Sequence, residues 1–163
     1  IVSAAGGGSD SNKSATTGSG SSVKTEDKET VAKVGEPARD GKFEFTVKSV
    51  TCGKASVGTN QYLTKTAQGQ YCLMDLTIKN IGNEKQSLLS SDQKLFNAAG
   101  QEYSADDTAT MYNSTDTAST WYNDINPGNS VSGVIVFDIP KDQTPVSAEL
   151  HDSAFSNGVK VNL

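Results

Sequence analysis

The sequence predicts an all-β domain, an antiparallel β-sandwich of seven or eight short strands behind an N-terminal linker. Three observations predict it. The run Gln70–Gly82 alternates apolar and polar side chains with period two, the mark of a half-buried strand. Shorter runs of the same kind recur along the chain, separated by Gly, Pro, Asn and Asp turn signals. No stretch carries a convincing amphipathic helical period.

In the organising run, Cys72, Met74, Leu76 and Ile78 share one face, and Asp75, Thr77 and Lys79 share the other. Asn80-Ile81-Gly82-Asn83 ends it with turn chemistry. Upstream, Phe43, Phe45 and Val47 alternate with Glu44, Thr46 and Lys48 in a first strand. Val50 and Cys52 have the opposite parity, and a bulge near Lys48-Ser49 would return them to the face of Phe43. The polar stretch Gly53–Gly69 reads as a long loop or an irregular hairpin. Downstream, Leu88 and Leu89 mark a short strand within Glu84–Ser91. Lys94–Phe96 and Gln101–Tyr103 flank Asn97-Ala98-Ala99-Gly100, a hairpin connection. Trp121, Tyr122 and Ile125 suggest a further short strand. Asn126-Pro127-Gly128-Asn129 fits a type II turn, with Pro presetting φ and Gly supplying φ > 0. Val131–Phe137 is apolar on both parities and reads as a central strand, closed by Pro140. Val146, Ala148 and Leu150 form the next alternation, and Val159, Val161 and Leu163 the last.

Residues 1–34 read as a disordered linker and residues 35–163 as the folded domain. Ser9–Val34 is rich in Ser, Thr, Gly and Lys, then in mixed charge, and has few large apolar groups. Such a stretch cannot offset an ordering entropy of roughly 1–2 kcal/mol per residue. It behaves as a flexible tether. Ile1–Gly8 resembles the end of a bacterial export signal, although no Cys stands near Gly6 or Gly7 as a lipoprotein signal would require. A secreted or surface-held, extracytoplasmic protein is expected.

A net charge of −5 argues against nonspecific nucleic-acid binding, which depends on basic patches. No run of about 18 apolar residues is present to form a membrane-spanning helix. Cys52 and Cys72 are the only cysteines and His151 is the only histidine, too few for a structural zinc site. The spacing of the cysteines excludes a C-x-x-C redox pair. A Cys52–Cys72 disulfide is the expected use, with two buried free thiols as the alternative. By strand parity His151 faces solvent, opposite to Ala148 and Leu150. Neither a G-x-S-x-G elbow nor a phosphate loop occurs. No catalytic residue and no cofactor is therefore expected.

Charge patterning singles out one segment. No Lys or Arg occurs between Lys94 and Lys141, while Glu102, Asp106, Asp107, Asp116, Asp124 and Asp138 do. Ser104–Asp124 is expected to be an exposed loop carrying the binding surface, with Asp106, Asp107, Asp116, Trp121, Tyr122 and Asp124 as candidate residues. Converging carboxylates would suit Ca²⁺ and the aromatic pair would suit a sugar face. A solvated acidic end, with its aromatics in the core, is the bland alternative. The expected function is a noncatalytic extracellular interaction module for a protein or glycan ligand; the alternative is a weak carbohydrate- or calcium-binding domain.

The order LTIKNIGNEKQ, KLFNAAGQEY, INPGNSVSGVIVFDIPKD and terminal VKVNL resembles a Gram-positive family of secreted or lipid-anchored domains of unknown function. That family is similar to the mycobacterial immunoprotective extracellular antigen. The resemblance spans Gly35–Leu163 and implies an immunoglobulin-like antiparallel β-sandwich outside the cytoplasm. It implies no catalytic residues, and an N-terminal lipid anchor would be the one membrane contact. Its most specific pieces are Asn80–Gly82, and Pro127-Gly128 followed by Gly133 and Phe137. Antibody domains place a core Trp between two cysteines. Trp121 instead follows both Cys52 and Cys72, so that core arrangement does not carry over.

Overall fold

The computed structural model describes residues 31–113 and 123–163. Nine strands and one short helix are described: β1 (Ala32–Lys33), β2 (Pro37–Asp40), β3 (Phe43–Asn60), β4 (Leu63–Asn80), β5 (Lys94–Asn97), β6 (Glu102–Ser104), α1 (Asp107–Asn113), β7 (Ser130–Ile139), β8 (Pro145–Leu150) and β9 (Val159–Asn162). They form two sheets, ordered β1-β9-β8-β5-β6 and β2-β3-β4-β7. All pairings are antiparallel except β1 with β9.

The organising strand is β4, which lies inside its sheet between β3 and β7. Met74, Leu76 and Ile78 are buried against Phe43, Phe45, Ile135 and Phe137 of the same sheet and Leu95, Ala148, Leu150 and Val161 of the other. The rings of Phe43 and Phe45 meet edge to face at 6.0 Å. The pairing register of β3 shifts between Val47 and Ser49, where the parity change called for a bulge. Val50 and Cys52 pack on the core as a result.

Of the two forms expected for the stretch between the cysteines, the irregular hairpin is present: its strands continue to Asn60 and from Leu63, with repeated register shifts. Other expectations change. The region of Leu88 and Leu89 is not a strand: a 3₁₀ turn spans Ser90–Asp92, Leu88 is buried and Leu89 is exposed. Gln86 and Ile125 form an isolated bridge there. Val146, assigned to the inward alternation, is exposed: the register of β8 against β5 shifts between Ser147 and Pro145, opposite Phe96 and Asn97, and the alternation breaks there. The folded domain also begins before residue 35. Ala32 is buried in the core and β1 pairs with the C-terminal strand β9, so Ala32 and Lys33 belong to the folded part; the rest of the expected linker, residues 1–30, lies outside the described residues.

β7 is the last strand of its sheet, not a central one. Its two apolar parities have another cause. Ile135, Phe137 and Ile139 enter the sandwich core, while Val134 and Val136 pack outside it with Val57, Tyr71 and Ala109. Helix α1 lies over that outer face. It is fixed there by Asp106 N–H donating to Val136 O at 2.8 Å and Val136 N–H donating to Thr110 Oγ1 at 3.0 Å. Burial on both faces of a strand removes alternation, whatever the strand's place in the sheet.

Candidate functional site

The acidic segment is not an uninterrupted loop: it contains α1. Asp106 caps that helix, its Oδ1 accepting Ala109 N–H at 3.0 Å and its carbonyl accepting Thr110 N–H at 2.9 Å. The same carboxylate receives Lys65 Nζ at 2.6 and 2.9 Å, from the β3–β4 hairpin. Asp107 accepts Ser90 Oγ–H at 2.6 Å, and Asp124 pairs with Lys85 at 3.0 Å. The run without bases is thus met by bases from elsewhere in the fold. Asp106, Asp107 and Asp124 each serve a different neighbour, and no group of three metal-capable side chains exists among the described residues. Asp116, Trp121 and Tyr122 lie outside the described residues.

Beneath α1, Tyr71 is fully buried and its hydroxyl has no hydrogen-bond partner among the described residues. Burial pushes its phenol up from 10.0 to about 12, and the charges of Asp106 and Asp138 add to the shift. Between those two values the unfolded chain releases a proton that the folded chain keeps. The unfolded state then binds fewer protons, so stability falls as pH rises. Tyr71→Phe is expected to raise stability by about 1 kcal/mol near pH 8, because an unsatisfied hydroxyl leaves the interior. The advantage should widen by on the order of 2 kcal/mol from pH 10 to pH 12. Urea titrations of both proteins across that range check it; a constant difference would contradict it.

The second polar assembly lies at the opposite side of the sequence map, in the connection from β8 to β9. The segment is His-Asp-Ser-Ala-Phe-Ser-Asn-Gly. His151 is not on the surface as parity suggested; its side chain is only 13% exposed. Nε2 lies 2.7 Å from Glu149 Oε1, and Nδ1 lies 3.1 Å from Ser156 O and 3.3 Å from Ser156 Oγ. The strand ends at Leu150, so strand parity no longer governs residue 151. Gly158 makes room for the ring: at φ +77° it has no Cβ, and one placed there would meet His151 Cε1 at 2.6 Å.

Asp40 and Asp152 complete this frame. Asp40 Oδ2 accepts Asp152 N–H at 2.7 Å and Ser156 Oγ–H at 2.5 Å. Asp152 Oδ2 accepts Lys42 N–H at 2.8 Å, and Gly41 leaves that carboxylate the space it occupies. Gln93, fully buried, accepts His151 N–H at 2.8 Å and donates to His151 O and Leu89 O. Glu149, His151 and Ser156 share the residue types of a nucleophilic triad. Their geometry does not activate the serine, because its hydroxyl proton is directed at Asp40 rather than at the imidazole.

The frame holds one conspicuous side chain. Phe155 is 99% exposed. Its loop is closed by Ser156 N–H donating to Ser153 O at 3.1 Å. The other most exposed ring, Tyr62 at 84%, caps the tip of the long hairpin and ends in a polar hydroxyl. Phe155 has no polar handle. Sequence reasoning passed over it. The available signal was a lone large apolar residue where turn chemistry predicts small polar ones.

A groove of about 810 Å³ runs between the edge strands β1 and β2, and Asn157 and Gly158 of the β8–β9 connection help to line it. Its apolar floor includes Pro37, Ala38 and Val159. Glu36, Arg39, Glu149 and Lys160 form its charged sides.

The disulfide expected from the sequence is present, joining Cys52 of β3 to Cys72 of β4. It ties two neighbouring strands of one sheet, unlike the inter-sheet bridge of antibody domains. Fold and cross-link together define a disulfide-bonded β-sandwich module. Residues 32–161 match the family described as a domain of unknown function, DUF4352, and the chain belongs to that family. Among solved structures it is similar to the secreted protein MPT63 of Mycobacterium tuberculosis, with 14% identity, a TM-score of 0.58, and coverage of 82% of this chain and 96% of that one. The yjhA protein of Bacillus subtilis gives 20% identity and a TM-score of 0.57 over 82% and 99% of the two chains. A conserved hypothetical protein of Bacillus anthracis gives 18% and 0.57 over 78% and 94%. At such identities the likeness is one of fold. No curated protein matches the chain.

Proposed function

We propose that this protein is a noncatalytic interaction module that works outside the cytoplasm and binds through the loop carrying Phe155. The observation that carries the reading is the pairing of full exposure at Phe155 with a hydrogen-bonded frame at both ends of its loop. An exposed phenyl ring is unfavourable in water, and a preformed loop lowers the ordering cost of binding. Buried aromatic anchors dominate protein interfaces. The disulfide supports an oxidising compartment, as does the likeness to a secreted protein. The calcium form of the alternative gains no support from Asp106, Asp107 and Asp124, which are engaged separately.

The test is photo-crosslinking on the surface of the producing cell. A photoreactive phenylalanine analogue replaces Phe155 in one protein and Lys48, an exposed residue on β3, in another. Discrete adducts at position 155 that are absent at position 48 are expected. Equal adducts, or none, would overturn the reading.

A further inference from the structure

We infer that Asn157-Gly158 is a site of spontaneous covalent modification, at which the Asn157 side chain passes through a succinimide to aspartate and isoaspartate. This goes beyond the reading of Phe155 as a binding anchor and does not depend on it.

The reaction needs a side-chain amide, a following backbone nitrogen that can reach it, and freedom for the two to meet. Glycine is the best following residue, because it has no Cβ to block the approach and restricts the backbone least. Asn157-Gly158 is the one Asn-Gly step in the sequence. Asn157 is exposed. Among the described residues, neither its side chain nor the Gly158 N–H has a hydrogen-bond partner. The pair forms an unbonded joint. Before it, Ser156 is held by Ser153 O and Asp40; after it, Val159 enters the ladder opposite Leu150.

Asp40-Gly41, the one Asp-Gly step, is the internal contrast. It can close the same ring with loss of water, but its carboxylate is engaged by Asp152 N–H and Ser156 Oγ–H. That engagement must break before the ring can form.

At Asn157 the Gly158 nitrogen attacks Cγ as it gives up its proton. The new N–Cγ bond closes a five-membered ring, the Cγ–Nδ2 bond breaks, and the amide nitrogen leaves as ammonia. Water then opens the ring. Cleavage at Cγ gives aspartate; cleavage at the main-chain carbonyl of residue 157 gives isoaspartate, with the backbone routed through the side chain. Either product adds a negative charge to a chain that carries −5. Isoaspartate also lengthens the backbone by a methylene directly before Gly158, which lies at φ +77° against the His151 ring and Glu149. The change therefore falls on the frame around the Phe155 loop and accumulates with the age of the protein.

The experiment is peptide mapping of the full chain held warm at mildly alkaline pH, native and in guanidinium chloride. Trypsin releases residues 142–160, in which Asn157 is the only Asn. This peptide should gain about 1 Da and split into aspartate and isoaspartate forms. Conversion in the native protein should run within about threefold of the denatured rate, because no hydrogen bond has to open first. Isoaspartate at Asp40, mapped in a second digest, should form more than about tenfold more slowly in the native protein than in the denatured chain. Asn157→Gln should hold the mass of the peptide constant. A native peptide 142–160 that keeps its mass, or native protection of Asn157 as strong as that of Asp40, would overturn the inference.

Discussion

Replacing Cys52 and Cys72 together by alanine is expected to lower the unfolding free energy by about 3–4 kcal/mol. Closing a loop of this length contributes about 3 kcal/mol in the chain-entropy view, and the lost sulfur at the fully buried Cys72 adds a small cavity. The position of the bridge directs where the loss is felt. Strands β3 and β4 run on past it as a two-stranded ribbon, whose largely exposed distal part is anchored by buried Val57 and partly buried Ala67. Two strands alone are marginal in water. The disulfide clamps the ribbon at its root and so holds Val57 and Tyr71 beneath α1. Urea unfolding should show the drop, and amide exchange should show the ribbon and α1 losing protection before β4–β7. Two alkylatable thiols in the unreduced native protein would contradict the premise outright.

Asn80→Asp is expected to destabilise more than Asn80→Ala, at about 3–5 against about 2–3 kcal/mol. Asn80 is fully buried at the end of β4. Its Nδ2 donates to Glu84 O and to Ile125 O, each at 2.7 Å, and its Oδ1 accepts Gly82 N–H at 2.9 Å. Its backbone completes the junction, with N–H donating to Asn129 O at 3.0 Å and C=O accepting Gly128 N–H at 2.8 Å. Alanine removes three hydrogen bonds. Aspartate is nearly the same shape but turns a buried acceptor toward two carbonyl oxygens. Thermal or urea denaturation gives the order directly; aspartate tolerated better than alanine would mean that the amide is not read as this geometry requires.

These residues show where sequence reasoning succeeds and stops. Period-two alternation located β3, β4 and the bulge at Val47/Ser49, because a half-buried sheet imposes that pattern on every strand. The same logic misplaced β7, since apolarity on both parities reports burial, not position, and a seven-residue helix supplies the second cover. It recognised Asn80 as a turn residue. It could not see that the side chain joins two connections, because Ile125 is forty-five positions away. The acidic run looked unneutralised for a similar reason. Lys65 and Lys85 reach Asp106 and Asp124 from distant segments. Phe155 and the frame of Asp40, Gln93, His151 and Asp152 draw on three connections, and no local pattern announces them.

The central claim, that Phe155 is presented by a fixed loop rather than carried on a fluid one, is tested most directly by amide hydrogen exchange at Lys42, His151 and Asp152. These amides donate to Asp152, Gln93 and Asp40 in the frame, and none of them belongs to a strand ladder. In the wild-type protein they should be protected nearly as well as the amides of β8, and Asp40→Ala should release Asp152 while leaving β4 and β7 unchanged. Exchange of all three at the rates of an unfolded peptide, in the wild-type protein, would contradict the claim and leave Phe155 without its standing as an anchor.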